Sequence, residues 1–119
     1  MKKMRLKIFH NPRCSKSRQG KKLLEDKNIT FETILYLDEQ ISKIEMEKIV
    51  NNFSDSPILL VRTKEKLFKE LKINKEDLND KKYVIELLSK YPKLIERPLL
   101  LSEKETIIGR PPENFLELI

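Results

Sequence analysis

An alternating polar and apolar segment, Arg5 to Phe9, is followed by a helix-forming stretch, Ser15 to Asp26, and then by a β-branched and aromatic run, Thr30 to Tyr36. Strand, helix and strand joined by short connections form a βαβ unit, which sets its two strands side by side in parallel. This succession constrains the chain more than any other feature, because parallel strands need a helix laid over the sheet. Leu23 and Leu24 mark the inner face of that helix, and Asn28 supplies its C-terminal stop.

The middle of the chain changes to helical signals. Ser42-Lys43-Ile44-Glu45 is a capping box that opens a helix running to about Asn51. Pro57 punctuates a loop, a short helix covers Lys64 to Leu71, and Asp80 caps another helix with Val84, Leu87 and Leu88 facing inward. Pro92 ends or kinks that helix. The tail then offers two short apolar strands, Leu99 to Leu101 and Thr106 to Ile108. Glu103-Lys104-Glu105 forms the hairpin loop between them, without a turn glycine. Gly109-Arg110-Pro111-Pro112 leads into a last helix, its prolines suited to the first turn. The order β-α-β, helices, β-β-α predicts one α/β domain over residues 1–119, with a helical insertion at about 40–92. A chain of 119 residues, 39% of them hydrophobic, suffices for one core.

At the first strand-to-helix junction stands Cys14, in Ile8-Phe9-His10-Asn11-Pro12-Arg13-Cys14-Ser15-Lys16-Ser17-Arg18. A helix start offers unpaired N–H groups and about half a positive charge from the dipole. Arg13, Lys16 and Arg18 add cations, and Ser15 and Ser17 can donate hydrogen bonds. Such a setting favours thiolate over thiol, which makes Cys14 a candidate nucleophile. The ordinary alternative, an inert cysteine packed as a small hydrophobe, fits these polar neighbours poorly. His10, four residues earlier, pairs with the thiolate or orients the loop, or else caps the strand end. Pro12 limits the loop's freedom, as a proline would in any tight turn. Cys14-Ser15-Lys16-Ser17 is C-x-x-S, so a dithiol centre is absent, and Gly20 stands where a C-x-x-x-x-x-R phosphatase loop would need arginine.

Composition narrows the chemistry. One cysteine excludes an internal disulfide and a cysteine-based zinc site, and one histidine leaves little for another metal. No metal or tightly bound cofactor is expected. The net charge of +6 suits a lysine-rich surface and an anion-binding role; mixed charge without a basic-aromatic motif argues against nucleic acid. The N-terminus is positive, but no signal-peptide core follows it. No run reaches the roughly 18 apolar residues of a membrane span. A soluble, cytoplasmic monomer without membrane attachment is expected. Three arginines sit at structural punctuation: Arg62 after Ile58-Leu59-Leu60-Val61, Arg97 before Pro98, and Arg110 before Pro111. Each guanidinium has the planar fork that suits an oxyanion, although spacing alone leaves open whether they converge.

Four ordered blocks carry a resemblance. His10-Asn11-Pro12-Arg13-Cys14-Ser15-Lys16-Ser17-Arg18, Leu60-Val61-Arg62-Thr63-Lys64-Glu65, Ile95-Glu96-Arg97-Pro98-Leu99 and Ile108-Gly109-Arg110-Pro111-Pro112 together resemble the arsenate reductase family of thioredoxin-like proteins. The resemblance implies a thioredoxin-like mixed sheet with a helical insertion. It implies Cys14 as nucleophile, His10 as the residue assisting its ionisation, and Arg62, Arg97 and Arg110 as ligands of arsenate oxygens. It also implies a cis peptide at Arg97–Pro98. With no second cysteine, an external thiol must complete the two-electron reduction to arsenite, and the family suggests glutathione with glutaredoxin. The chain ends soon after Arg110 and so looks like the family's compact branch. Two alternatives stay open: a thiol-dependent oxidoreductase of another substrate, and a regulator of the same superfamily that binds RNA polymerase. Such regulators commonly carry C-x-x-C, which Ser17 removes here.

Overall fold

A computed structural model describes residues 6–119; Arg5, the first residue of the predicted opening strand, lies outside them. The described residues divide into two compact units. One comprises the chain through Glu39 together with Arg97–Ile119, and the other comprises Gln40–Glu96.

The first unit is built on a four-stranded sheet of order β2-β1-β3-β4, with β1 Lys7–Phe9, β2 Glu32–Ile34, β3 Leu99–Leu101 and β4 Thr106–Ile108. β1 and β2 are parallel, with Phe9 opposite Ile34, as the βαβ succession requires. β3 runs antiparallel to both β1 and β4, so the sheet is mixed, the α/β arrangement expected from the sequence. Side chains alternate between faces. Ile8 and Leu100 belong to a buried cluster with Leu6, Leu24, Phe115 and Leu118, while Leu23, Ile29, Phe31 and Ile107 pack around it half-buried. Each large apolar side chain so buried contributes about 1.5–3 kcal/mol.

Helix α1 spans Ser15–Asp26, and Asn28 follows it at φ 58, a left-handed residue that lets the chain turn back into β2. β2 is shorter than the predicted Thr30 to Tyr36, because a turn begins directly after Ile34. The Leu35 N–H donates to the Glu39 carboxylate, and the Leu35 carbonyl accepts from Asp38 and Glu39. Tyr36 therefore lies in a turn rather than in a strand. In the β3–β4 hairpin, Ser102 does what a glycine turn would do: its Oγ accepts from the Lys104 and Glu105 N–H groups. The C-terminal segment Pro112–Leu118 is a 3-10 helix, not the α-helix expected. The Asn114 amide donates to the carbonyls of Ile108 and Arg110 and ties the segment to the strand before it.

The second unit is helical: α2 Lys43–Asn51, α3 Lys66–Glu70 and α4 Lys81–Lys90, with 3-10 turns between them. Ser42 and Asp80 cap α2 and α4 as their sequences indicate, accepting from Glu45 N–H and Lys82 N–H. Met46, Ile49 and Val50 of α2 are buried, as are Val84, Leu87 and Leu88 of α4. Two expectations shift. Pro57 opens a 3-10 turn, Pro57–Leu60, instead of an irregular loop. The helix predicted from Lys64 starts at Lys66, because Glu65 N–H is already committed to the Arg62 carbonyl. No helix of the described residues is long and apolar enough to cross a membrane.

Candidate active site

Cys14 is the N-cap residue of α1, with extended backbone at φ −96 and ψ 122. The loop that carries it is tied at every turn. His10 N–H donates to Ile34 O at 2.9 Å across the sheet, and Cys14 N–H donates to Asn11 O at 3.0 Å. Asn11 Oδ1 accepts from Arg13 N–H at 3.0 Å, and Arg18 Nη1 donates to Pro12 O at 2.8 Å. Asn11 closes an Asx-type turn.

Charge around the sulfur is one-sided. The first turn of α1 contains no acidic residue, although carboxylates there would complement the dipole, and Lys16 and Arg18 oppose it. This arrangement weakens an isolated helix and suits an anion at its N-terminus. Burial raises the Cys14 thiol, but the Ser17 N–H, the Arg97 guanidinium and the Lys16 N–H outweigh it, and the net shift is below the ordinary value. Arg110 completes the ring of donors: its Nη2 lies 3.7 Å from Cys14 Sγ while its Nε donates to the Arg97 carbonyl at 2.8 Å. Arg110 thus contacts both the sulfur and the backbone of the other arginine. The Arg97–Pro98 and Arg110–Pro111 peptides are both cis, the second not anticipated.

Ser17 and His10 meet each other beneath the Cys14 loop. Ser17 is fully buried, and its hydroxyl is turned inward, accepting from Asn11 N–H at 2.9 Å and meeting His10 Nδ1 at 2.7 Å. Its hydroxyl therefore does not face an oxyanion; Ser17 serves the site through its backbone N–H. His10 contacts Ser17 rather than the thiolate directly. Burial, then the charges of Lys21 and Arg18, push its imidazole below the ordinary value, so it is neutral at neutral pH. Ser15, the first helical residue, is exposed.

Cys14, His10, Ser15, Ser17, Arg97, Pro98 and Arg110 all belong to the first unit. Arg62 belongs to the second, where its Nη1 pairs with Glu65 Oε2 at 2.8 Å and its N–H donates to Leu94 O. Glu65 also pairs with Lys93 at 3.5 Å, so one carboxylate serves two cations. Among the described residues no three His, Cys, Asp or Glu side chains converge as metal ligands would. Tyr36 is the last residue of the second strand expected from the sequence. It is buried, and its ring stacks on Phe9 with centroids 5.6 Å apart and an interplanar angle of 8°.

Residues 9–118 match the ArsC family. A protein named arsenate reductase from Haemophilus influenzae is 39% identical over 113 residues, covering 94% of this chain and 97% of that one. The solved structure of an arsenate reductase from Vibrio cholerae superposes with a TM-score of 0.83 at 33% identity, covering 99% of this chain and 100% of the other. A more distant relative, named global transcriptional regulator Spx 1, from Oceanobacillus iheyensis, is 29% identical over 86% of this chain and 77% of its own length.

Proposed function

The chain belongs to the ArsC family, and from that premise we propose that it reduces arsenate, with Cys14 as nucleophile and an external thiol as reductant. The observation that carries this reading is the approach of Arg110 Nη2 to Cys14 Sγ at 3.7 Å, with Arg97 also acting on the sulfur. Cations so placed stabilise a thiolate before reaction and an arsenate oxyanion during it. Arg62 is the third proposed oxyanion ligand, carried over from the family resemblance.

In the first step the Cys14 thiolate attacks arsenic, an S–As bond forms, and an arsenate oxygen leaves as water after protonation. Reduction from As(V) to As(III) then takes two electrons. The chain holds a single cysteine, so both electrons come from outside. Two external thiols, from glutathione or glutaredoxin, are oxidised to a disulfide, and hydrolysis of the S–As bond releases arsenite and restores Cys14. His10 acts through Ser17, holding the start of α1 in place beneath the sulfur.

The test is arsenite production from arsenate with several thiol donors, for the wild type and Cys14→Ser. Turnover that falls by on the order of 10³-fold or more in Cys14→Ser, with the fold retained, supports the reading. Undiminished turnover in that variant removes Cys14 from the mechanism. Reduction of a different oxyanion or disulfide with arsenate inert would favour the broader thiol-dependent oxidoreductase. The Spx-named relative favours a regulator as the second reading, although C-x-x-S leaves it no dithiol switch. Co-purification with RNA polymerase, with no reductase activity for any donor, would favour that one.

A further inference from the structure

Asn114 is a half-buried polar side chain to which the reaction outlined above gives no task. The chain around it explains why an amide stands there. Three and four residues after Ile108 come Pro111 and Pro112, and neither has an N–H to offer the Ile108 carbonyl. Asn114 Nδ2 supplies that donor from its side chain, at 3.2 Å, and reaches the Arg110 carbonyl at 3.2 Å as well. Both neighbours are acceptors, so the NH2 end of the amide, with its two hydrogens, is the end that fits them. Asn114 is itself firmly seated: its N–H donates to Pro111 O at 3.0 Å, and the next residue, Phe115, is fully buried. Gly109 N–H donates to Pro98 O at 2.9 Å, so the main chain is held at Ile108, Gly109 and Arg110 in succession.

We propose that Asn114 is a positioning residue for the candidate active site: its amide fixes the main chain at Ile108 and Arg110 and so keeps the Arg110 guanidinium on Cys14. The inference rests on the reading of Cys14 as nucleophile. Arg110 is exposed, and its guanidinium holds two contacts at once, Nε to the Arg97 carbonyl at 2.8 Å and Nη2 to Cys14 Sγ at 3.7 Å. A long, rotamer-rich side chain in solvent keeps such a pose only if its base stays still, because a small tilt at Cα is magnified by the time it reaches the guanidinium. The anchored carbonyl removes that freedom before the reaction begins, so more of the attraction for the sulfur is realised. Asn114, Arg110, Arg97 and Cys14 all belong to the first unit, so the whole chain of contacts runs within it.

The test is Asn114→Ala. The primary readout is the pH profile of Cys14 alkylation by iodoacetamide, which needs no arsenate and so is separable from the substrate assignment. A guanidinium held near the sulfur favours thiolate. The expected profile is therefore displaced to higher pH, toward that of Arg110→Ala. Arsenate kcat/KM should fall by roughly three- to tenfold, the scale of one or two neutral hydrogen bonds. The lost hydrogen bonds also lower the thermal melt, and an Arg110→Ala background separates the two effects. There Asn114→Ala should lower the melt as before and move the alkylation profile no further. A profile that coincides with wild type, or that shifts equally with and without Arg110, overturns the proposal. Arsenate left unreduced by the wild type, with the alkylation shifts as expected, would remove the substrate assignment and leave the positioning role standing. Should Asn114→Ala fail to fold, Asn114→Ser keeps one shorter donor. Its alkylation profile must then move upward as well, and a profile left in place overturns the proposal.

Discussion

Ser17 shows how one residue can serve a site by two routes. Its N–H faces the Cys14 sulfur, while its Oγ, wholly buried, satisfies both the Asn11 N–H and the His10 ring. Replacing it with alanine keeps the first contribution and removes the second. Two buried polar groups then lose their partner, which costs about 1–3 kcal/mol. Ser17→Ala should therefore lower the denaturation midpoint while leaving the Cys14 alkylation profile close to that of wild type. A variant with wild-type stability and a raised KM for arsenate would mean instead that the hydroxyl binds substrate, as the sequence first suggested. The distinction was invisible in the sequence because C-x-x-S places Ser17 near the sulfur but does not say which of its atoms points there.

At the scale of elements, the decisive fit is between the last 3-10 helix and the two glycines. Phe115 is fully buried, and a Cβ on Gly20 would stand 2.7 Å from its ring, while one on Gly109 would stand 2.6 Å from it and 2.9 Å from Pro98. The chain's only glycines thus admit one aromatic ring between α1, the end of β4 and the proline beside Arg97. Gly109→Ala should cost about 1–3 kcal/mol by overpacking, measured by urea denaturation. Phe115→Leu added to it should cost less than the sum of the two single changes, because the smaller side chain yields space. Strict additivity would show that the close approach is relieved elsewhere. Elements of this kind divide cleanly into legible and illegible. α1, β3, β4 and the caps at Ser42 and Asp80 were readable, since each rests on local periodicity or on a residue within one turn. The early end of β2 was not, because it depends on Glu39 reaching back to Leu35. Neither was the approach of Arg110 to Cys14, which joins the end of the last strand to the start of α1.

For the molecule as a whole, the chain leaves the first unit after Glu39 and returns at Arg97, so the residue that begins the return also acts on Cys14. Two groups of this unit, Cys14 and His10, make its folding free energy depend on pH in the same direction. The Cys14 pKa is lowered from 9.0, burial being outweighed by its N–H and arginine partners. Below 9.0 the unfolded chain takes up a proton at this thiol that the folded chain refuses until its own lower pKa is reached. The stabilisation is thus complete above 9.0 and lost as pH falls through the folded value. His10 is lowered from 6.5, chiefly by burial and then by Lys21 and Arg18. Its unfolded form likewise binds the proton first, so stability is lost as pH falls below 6.5 toward the folded value. Urea denaturation midpoints should therefore rise with pH in two stages, the lower one belonging to His10 and the upper one to Cys14. Cys14→Ser has no proton to exchange in the upper stage, and its midpoints should flatten between neutral pH and 9.0 while the lower stage persists. If Cys14→Ser keeps the full upper slope, the thiolate is not stabilised by the folded chain, and the cations gathered around Cys14 must act only on what it attacks.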